Sequence, residues 1–252
     1  MEFLKIKDKN GLRVVTISNP KKKNALSRII YNAFADVLNT AAKDDNIKCV
    51  VITGEGDFYS SGNDITQSYE LPADGSSLYK PLDDMVKAYV RFPKLLIAVV
   101  NGPAIGIAAT TVALCDIIYA HDSAYFYTPF TNLGLCAEGC SSLTFPQILG
   151  TSKAIELLSL NHKMSAQEAH AFGFVASVYN DEKEIWNKIQ KIGDLPIGSI
   201  MSNKKLTRRF KIEELEEAND REIKELEVRQ TSEEALMAIL KFQESRKPKN
   251  KL

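Results

Sequence analysis

Three short segments of this chain carry residue types that can do chemistry together. Phe58-Tyr59-Ser60-Ser61-Gly62-Asn63-Asp64 and Asn101-Gly102-Pro103-Ala104-Ile105-Gly106-Ile107-Ala108-Ala109 are rich in small residues, and each follows an apolar run. Each is placed to end a strand and open a helix. The first N–H groups of a helix lack intrahelical partners and carry partial positive charge. Two such openings aimed at one point would hold an oxygen that becomes negative during a reaction. The third segment, Leu135-Cys136-Ala137-Glu138-Gly139-Cys140-Ser141-Ser142, adds a carboxylate. A base beside an oxyanion hole is the minimum equipment for taking a proton from the carbon next to a carbonyl. Plainer readings stand beside these. Gly62 after a strand also fits an ordinary turn, and Glu138 also fits a carboxylate favoured by the dipole of a helix beginning near Ser141.

The elements that must position these loops can be read from periodicity. Phe3 to Asp8 and Leu12 to Ser18 suggest a hairpin around Gly11. Ser27 is placed to cap a helix running to about Lys43, with Ile30, Phe34, Val37 and Leu38 on one face. Cys49 to Thr53 and Leu95 to Val100 read as compact strands, and a helix from about Leu82 to Phe92 precedes the second of them. Helix resumes from about Gly106 to Leu114, and short strands follow at Ile117 to Ala120 and Ala124 to Tyr127. Gln67 to Leu78 is polar and reads as a surface loop. From Ser141 the pattern is helical apart from an apolar piece at Phe174 to Val178, and Lys211 to Arg246 reads as amphipathic helices that cover another surface. The fold class is α/β, helices on a sheet.

Bulk properties exclude some functions. The 252 residues suffice for one large domain, or a domain with a helical appendage, and 44% hydrophobic with 25% charged residues is ordinary for a globular chain. With 32 basic and 32 acidic side chains the net charge is zero, which argues against bulk attraction to nucleic acid or membranes. The densest basic cluster, Lys204, Lys205, Arg208, Arg209 and Lys211, is followed at once by glutamates. The four cysteines form no C-x-x-C pair and suggest reduced thiols, and neither a metal site nor a membrane span is indicated. Gly-x-Gly-x-x-Gly and Gly-Lys-Ser/Thr are both missing, so neither a dinucleotide fold nor a P-loop is indicated.

Asn101-Gly102-Pro103-Ala104-Ile105-Gly106 followed by Cys115-Asp116-Ile117 resembles the signature of the crotonase (enoyl-CoA hydratase/isomerase) superfamily. Supporting pieces are Asn19-Pro20 with Asn24-Ala25-Leu26, Phe58 through Asp64, Lys153-Ala154, and Ala166-Gln167-Glu168-Ala169 leading to Gly173-Phe174-Val175. The match runs in order along almost the whole chain. It implies a crotonase-like ββα spiral core over 1–195 and a C-terminal helical trimerisation region over 196–252. It also implies an acyl-CoA thioester substrate whose carbonyl oxygen is held by the Asn63 and Ile107 N–H groups. The resemblance also implies that Ser61, Gly62, Asp64, Ile65, Gly106, Phe130 and Leu133 bind the acyl-CoA substrate. Lys21 is placed beside the CoA phosphates, and Lys241 and Phe242 on a helix that closes over the nucleotide. No separate cofactor is implied, because coenzyme A is part of the substrate.

The carboxylates select the branch. Family hydratases use two glutamates, at positions held here by Thr110 and Phe130. Phe130 cannot transfer a proton and Thr110 is a poor base. The Glu138-Gly139 loop instead resembles that of the peroxisomal-type Δ3,Δ2-enoyl-CoA isomerases, which use a single base. The resemblance therefore implies a double-bond shift from 3-enoyl-CoA to trans-2-enoyl-CoA in fatty-acid β-oxidation, with an apolar pocket raising the Glu138 pKa. A hydratase-like enzyme and a non-catalytic binding protein of the same fold are the alternatives. A homotrimer or hexamer is implied. The C-terminal Asn250-Lys251-Leu252 resembles a weak peroxisomal address, with the mitochondrial matrix or cytoplasm as alternatives.

Overall fold

A computed structural model describes residues 3–64, 77–208 and 210–245. The chain opens with a hairpin of β1 (Leu4–Lys9) and β2 (Leu12–Ile17), in which Leu4 faces Ile17 and Lys9 faces Leu12. Asn10 and Gly11 both have positive φ, 48° and 74°, as tight hairpin turns require. Helix α1 (Arg28–Lys43) starts where Ser27 Oγ accepts the Ile30 N–H at 3.3 Å. Then come β3 (Cys49–Gly54), α2 (Lys80–Arg91), β4 (Leu95–Val100), the two-residue β5 (Ala104–Ile105) and α3 (Ile107–Val112). The middle of the chain adds β6 (Ile117–His121), β7 (Tyr125–Tyr127), α4 (Ser141–Leu149), α5 (Thr151–Leu160), β8 (Lys163–Ser165), α6 (Ala166–Ala171) and β9 (Ser177–Tyr179). Helices α7 (Glu182–Gln190), α8 (Ile197–Thr207), α9 (Ile212–Gln230) and α10 (Glu233–Ser245) complete the described chain.

Six strands form one sheet in the order β1-β2-β3-β4-β6-β9, parallel after the first pair. A smaller sheet has the order β5-β7-β8. The main sheet is covered on both faces, which explains why β3 and β4 read as unbroken apolar runs. Val50, Ile52, Leu96 and Ala98 pack with Ile30, Phe34, Leu38, Met85 and Tyr89 from α1 and α2. Their neighbours Cys49, Val51, Ile97 and Val99 turn to the other face, against Ile185 and Ile189 of α7. Alternation of side chains along each strand therefore builds two apolar layers.

The structure departs from the periodicity at two short strands and gives form to one apolar segment. In the apolar piece at Phe174 to Val178, Phe174 and Val175 both donate their N–H to Ala169 O, closing the end of α6, and β9 begins at Ser177. The Phe174 ring sits among core aromatics, 5.0 Å from Phe126 and 5.6 Å from Phe145. Strands β5 and β8 were not expected, since two or three residues carry no period. The polar stretch from Gln67 and the terminal tripeptide lie outside the described residues, except for the end of the former.

The charged C-terminal helices fold back on the rest of the chain. Leu215, Ala218, Asn219, Glu222 and Leu226 form the buried stripe of α9, which packs on α2 and α4. Asn219 Nδ2 donates to Asp83 Oδ1 of α2 at 2.6 Å, and Lys87 of α2 pairs with both Asp83 and Asp220. Lys204 of α8 points inward, donating to Lys94 O and Asp116 Oδ2, and the Arg208 guanidinium donates to Val90 O. Two cations of the densest basic cluster are therefore spent on internal contacts. No helix among the described residues is long and apolar enough to cross a membrane.

The Ser27 cap gives a direct test of how α1 is started. Ser27→Ala removes the acceptor for one orphan N–H and is expected to lower unfolding free energy by about 1 kcal/mol. Urea denaturation followed by circular dichroism measures it, with the native spectrum unchanged.

Candidate active site

Two asparagine side chains shape the first loop. Asn24, fully buried, accepts the Asn19 N–H at 2.9 Å and donates to Glu55 O at 2.9 Å and Phe58 O at 2.7 Å. Asn101 accepts the Gly54 N–H at 2.9 Å and donates to Gly56 O at 2.7 Å. The turn after β3 is thus clamped from both sides by amides that each donate and accept.

Beyond the clamp, the first loop runs between two neighbours. On one side the Ser60 N–H donates to Pro103 O at 3.2 Å and the Ile105 N–H donates to Ser60 O at 3.0 Å, tying it to the second loop. On the other side the Leu26 N–H donates to Gly62 O and the Asp64 N–H donates to Leu26 O, both at 2.8 Å. Successive amides of an extended segment point in alternate directions. The Asn63 N–H, trans to the Gly62 carbonyl that accepts from Leu26, is therefore directed away from Leu26. Gly62 makes this crossing possible: its φ is 81°, and a Cβ there would stand 2.5 Å from Ile105 O. The Tyr31 hydroxyl donates to Asn63 Oδ1 at 3.2 Å, and buried Asp64 pairs with Lys22 at 2.9 Å.

The second loop delivers Gly106, whose N–H donates to Tyr127 O at 2.8 Å, as the cap of α3. Ile107 is the first residue of that helix, so its N–H has no acceptor within the helix. The hydroxyls of Thr110 and Thr111 both donate to Ile107 O, filling the first turn with small polar groups.

Glu138 reaches this helix through its neighbour. At Gly139, φ is 64°, and a Cβ would lie 2.5 Å from Thr110 Oγ1 and 3.1 Å from Ile107 Cδ1. Only a residue without a side chain lets the Glu138-Gly139 backbone lie on the first turn of α3. Glu138 itself is half-buried. Burial, and secondarily the charge of Glu222, push its carboxyl up to about 8 from an ordinary 4.5. Its carbonyl accepts the Ser141 N–H and hydroxyl at 3.2 and 2.7 Å, joining the loop to the start of α4.

The remaining positions singled out in the sequence fall into two groups. Ser61, half-buried, donates its N–H to Lys23 O, and Lys21 stands exposed in the 3₁₀ turn Pro20–Lys22 nearby. Phe130 is buried at the head of the 3₁₀ turn Thr131–Leu133, and Leu133 is half-buried within it. That turn packs against α10, where Arg229 of the preceding helix also donates to Gly134 O at 3.1 Å. Lys241 is exposed and Phe242 half-buried toward the far end of α10. Ile65 lies outside the described residues.

One participant was missed. Glu222 of α9 is 5% exposed, and its two oxygens accept the Cys140 N–H at 2.7 Å and the Ser142 N–H at 2.8 Å. It holds the start of α4 immediately after the Glu138 loop. The sequence contains a signal for it: Glu222 falls seven positions after Leu215, on the buried stripe of α9 where it is the one charged residue.

Residues 7–251 match the family model described as enoyl-CoA hydratase/isomerase. The chain belongs to this family. It is 40% identical over 249 residues to human enoyl-CoA delta isomerase 2, covering 96% of this chain and 63% of the relative. It is 37% identical over 244 residues to mouse peroxisomal enoyl-CoA delta isomerase 3, covering 94% of this chain and 77% of the relative. The chain thus spans a little under two thirds of the length of the human protein. A solved enoyl-CoA hydratase/isomerase from Pseudoalteromonas atlantica T6c superposes with a TM-score of 0.90 at 31% identity, covering 97% of this chain and 98% of that one. The crotonase fold expected from the sequence is the fold observed, with its helical C-terminal region.

The raised Glu138 pKa has a consequence for stability that does not involve activity. Between about 4.5 and 8 the folded chain keeps a proton that the unfolded chain releases, so this group's contribution to stability falls as pH rises through that window. Glu138→Gln removes the exchange. The melting temperature of the variant relative to wild type is therefore expected to rise between about pH 5 and about pH 9, measured by calorimetry in matched buffers. A difference that stays level with pH would contradict the shift.

Proposed function

We propose that the chain is an enoyl-CoA isomerase, moving the double bond of a cis- or trans-3-enoyl-CoA to give trans-2-enoyl-CoA. One observation carries this reading: a desolvated carboxyl group, Glu138, stands on a loop laid over the helix that Ile107 opens. Buried Phe130 and Thr110 occupy the places where a family hydratase would carry its acids. Similarity to enoyl-CoA delta isomerases of human and mouse supports the same branch.

In the proposed reaction the thioester oxygen sits between the Asn63 and Ile107 N–H groups. Glu138, as the carboxylate, takes a proton from C2. The C–H electron pair moves into the C2–C1 bond, and charge spreads from the oxygen to C4 as a dienolate. The resulting carboxylic acid returns the same proton to C4, which leaves the C2–C3 double bond conjugated with the carbonyl. No water is consumed, so one carboxyl group does both halves. A pKa of about 8 lies near working pH, where a group both accepts and gives up a proton readily. Phe130 and Leu133 keep water from the dienolate. Ser61, Gly62, Asp64, Ile65 and Gly106 shape the acyl end of the cleft, while Lys21, Lys241 and Phe242 meet the CoA nucleotide. The exposed Val228, Leu236, Met237 and Leu240 on α9 and α10 support assembly into a trimer or hexamer. The C-terminal Asn-Lys-Leu and the mouse peroxisomal relative support a peroxisomal address.

Glu138→Gln preserves shape but cannot accept the proton. It is expected to lower kcat by about 10²–10⁴-fold with little change in KM. The assay follows the absorbance of the conjugated thioester formed from 3-hexenoyl-CoA. In wild type, kcat/KM is expected to rise with pH along a limb centred near about 8, as the base ionises. Full activity in a folded Glu138→Gln variant would remove the base assignment. Formation of 3-hydroxyacyl-CoA from 2-enoyl-CoA, without isomerisation of the 3-enoyl substrate, would replace this reading with a hydratase.

A further inference from the structure

Glu222 is a buried acid in a place where an apolar residue would pack. Its flanks on the same face of α9 are Leu215, Ala218, Asn219 and Leu226, none of them charged. Burying an ionisable side chain is unfavourable unless it is well paired, and here the partners are two amides at the opening of α4, at 2.7 and 2.8 Å. The start of α4 needs such a partner. Cys140, its capping residue, has φ of 62° and makes no side-chain cap; its thiol turns away to Leu215 O. The acceptor that a Ser or Asp would normally supply locally comes instead from 82 residues downstream.

The gripped amides lie two and four residues after Glu138. Between them Ser141 holds the Glu138 carbonyl, and the residue before Cys140 is the Gly139 pressed on α3. The Glu138 loop is therefore fastened at both edges, to α3 on one side and to α9 through Glu222 on the other. We propose that Glu222 is a positioning residue for the reaction: by gripping the Cys140 and Ser142 amides it sets where Glu138 stands over the opening of α3. This inference rests on the isomerase reading for its effect on rate, but the coupling between the two carboxyl groups can be measured without substrate.

The charged and titratable groups facing this junction come from three elements. The Glu138 loop contributes Cys136 and Cys140. Helix α2 contributes Asp83, joined to Asn219 and to Lys87. Helix α9 contributes Asp220, Arg221, Glu225 and Arg229. Of all these, Glu222 alone acts through charge on Glu138 strongly enough to stand beside burial as a cause of its shift.

Two variants separate geometry from charge. Glu222→Gln keeps length, loses the charge and presents an NH₂ to one of the two amides. Glu222→Asp keeps the charge but withdraws the oxygens by one methylene. Both are expected to lower kcat roughly tenfold or more, with KM unchanged, because a displaced base loses its near-attack geometry. Only Glu222→Gln is expected to move the rising limb of kcat/KM to lower pH, by about one unit. The same shift is expected in the ¹³C carboxyl resonance of Glu138, assigned by its loss in Glu138→Gln. That titration stands even if wild type fails to isomerise 3-hexenoyl-CoA, in which case the functional reading falls and the coupling is judged alone. A folded Glu222→Gln with wild-type kcat and an unmoved Glu138 titration overturns the proposal, and so does a loss of melting temperature with no change in either. Should neither variant fold, the wild-type resonances of Glu138 and Glu222 decide it: each must respond to the ionisation of the other, and independent titrations overturn the coupling.

Discussion

The site depends on how closely backbone can approach backbone at the opening of α3. Three chain segments meet there, and at two of the meetings a side chain would collide with its neighbour: Gly62 against Ile105 O and Gly139 against Thr110. Sheet hydrogen bonds from Leu26 on one flank and from the Pro103–Ile105 strand on the other hold the peptide at Asn63, its N–H turned away from Leu26. In the proposed reaction these main-chain amides would need no reorganisation as charge develops on the thioester oxygen, which is the condition under which such donors are most effective.

The same crowding accounts for the acid. A carboxyl group on an open loop would keep its hydration and its ordinary acidity. Glu138 is instead pinned where burial disfavours its charged form, and a second carboxylate nearby adds to the effect. Electrostatics and packing act here as one constraint, because the contact that carries the loop onto α3 also strips it of water. The polar residues that matter most to this geometry, Asn24, Asn101 and Glu222, do not themselves belong to the proposed proton transfer. They hold backbone in place, and all three do so by matching main-chain donors and acceptors that would otherwise be buried without partners.

Much of this could be read from the chain before folding. Apolar runs and the 3.6-residue period located α1, β3, α2 and β4 to within a residue or two, because each buries apolar side chains, and the turn at Gly11 located the hairpin. The two small-residue loops and Glu138 stood out because their residue types are chemically specific. Strands β5 and β8 were invisible because they are defined only by partners distant in sequence. Glu222 escaped because its meaning depends on Cys140, 82 residues away. Its position on the α9 stripe marks it as anomalous, but only the tertiary structure names the amides that it serves.

That separation has a consequence for synthesis. As the chain leaves the ribosome, the sheet, the two amide-bearing loops and the Glu138 loop all emerge before α9 does. Until Glu222 arrives, the opening of α4 lacks its carboxylate and one edge of the loop is unsecured. Most of the architecture is thus in hand before the opening of α4 meets its acceptor, which arrives only when the late helix docks.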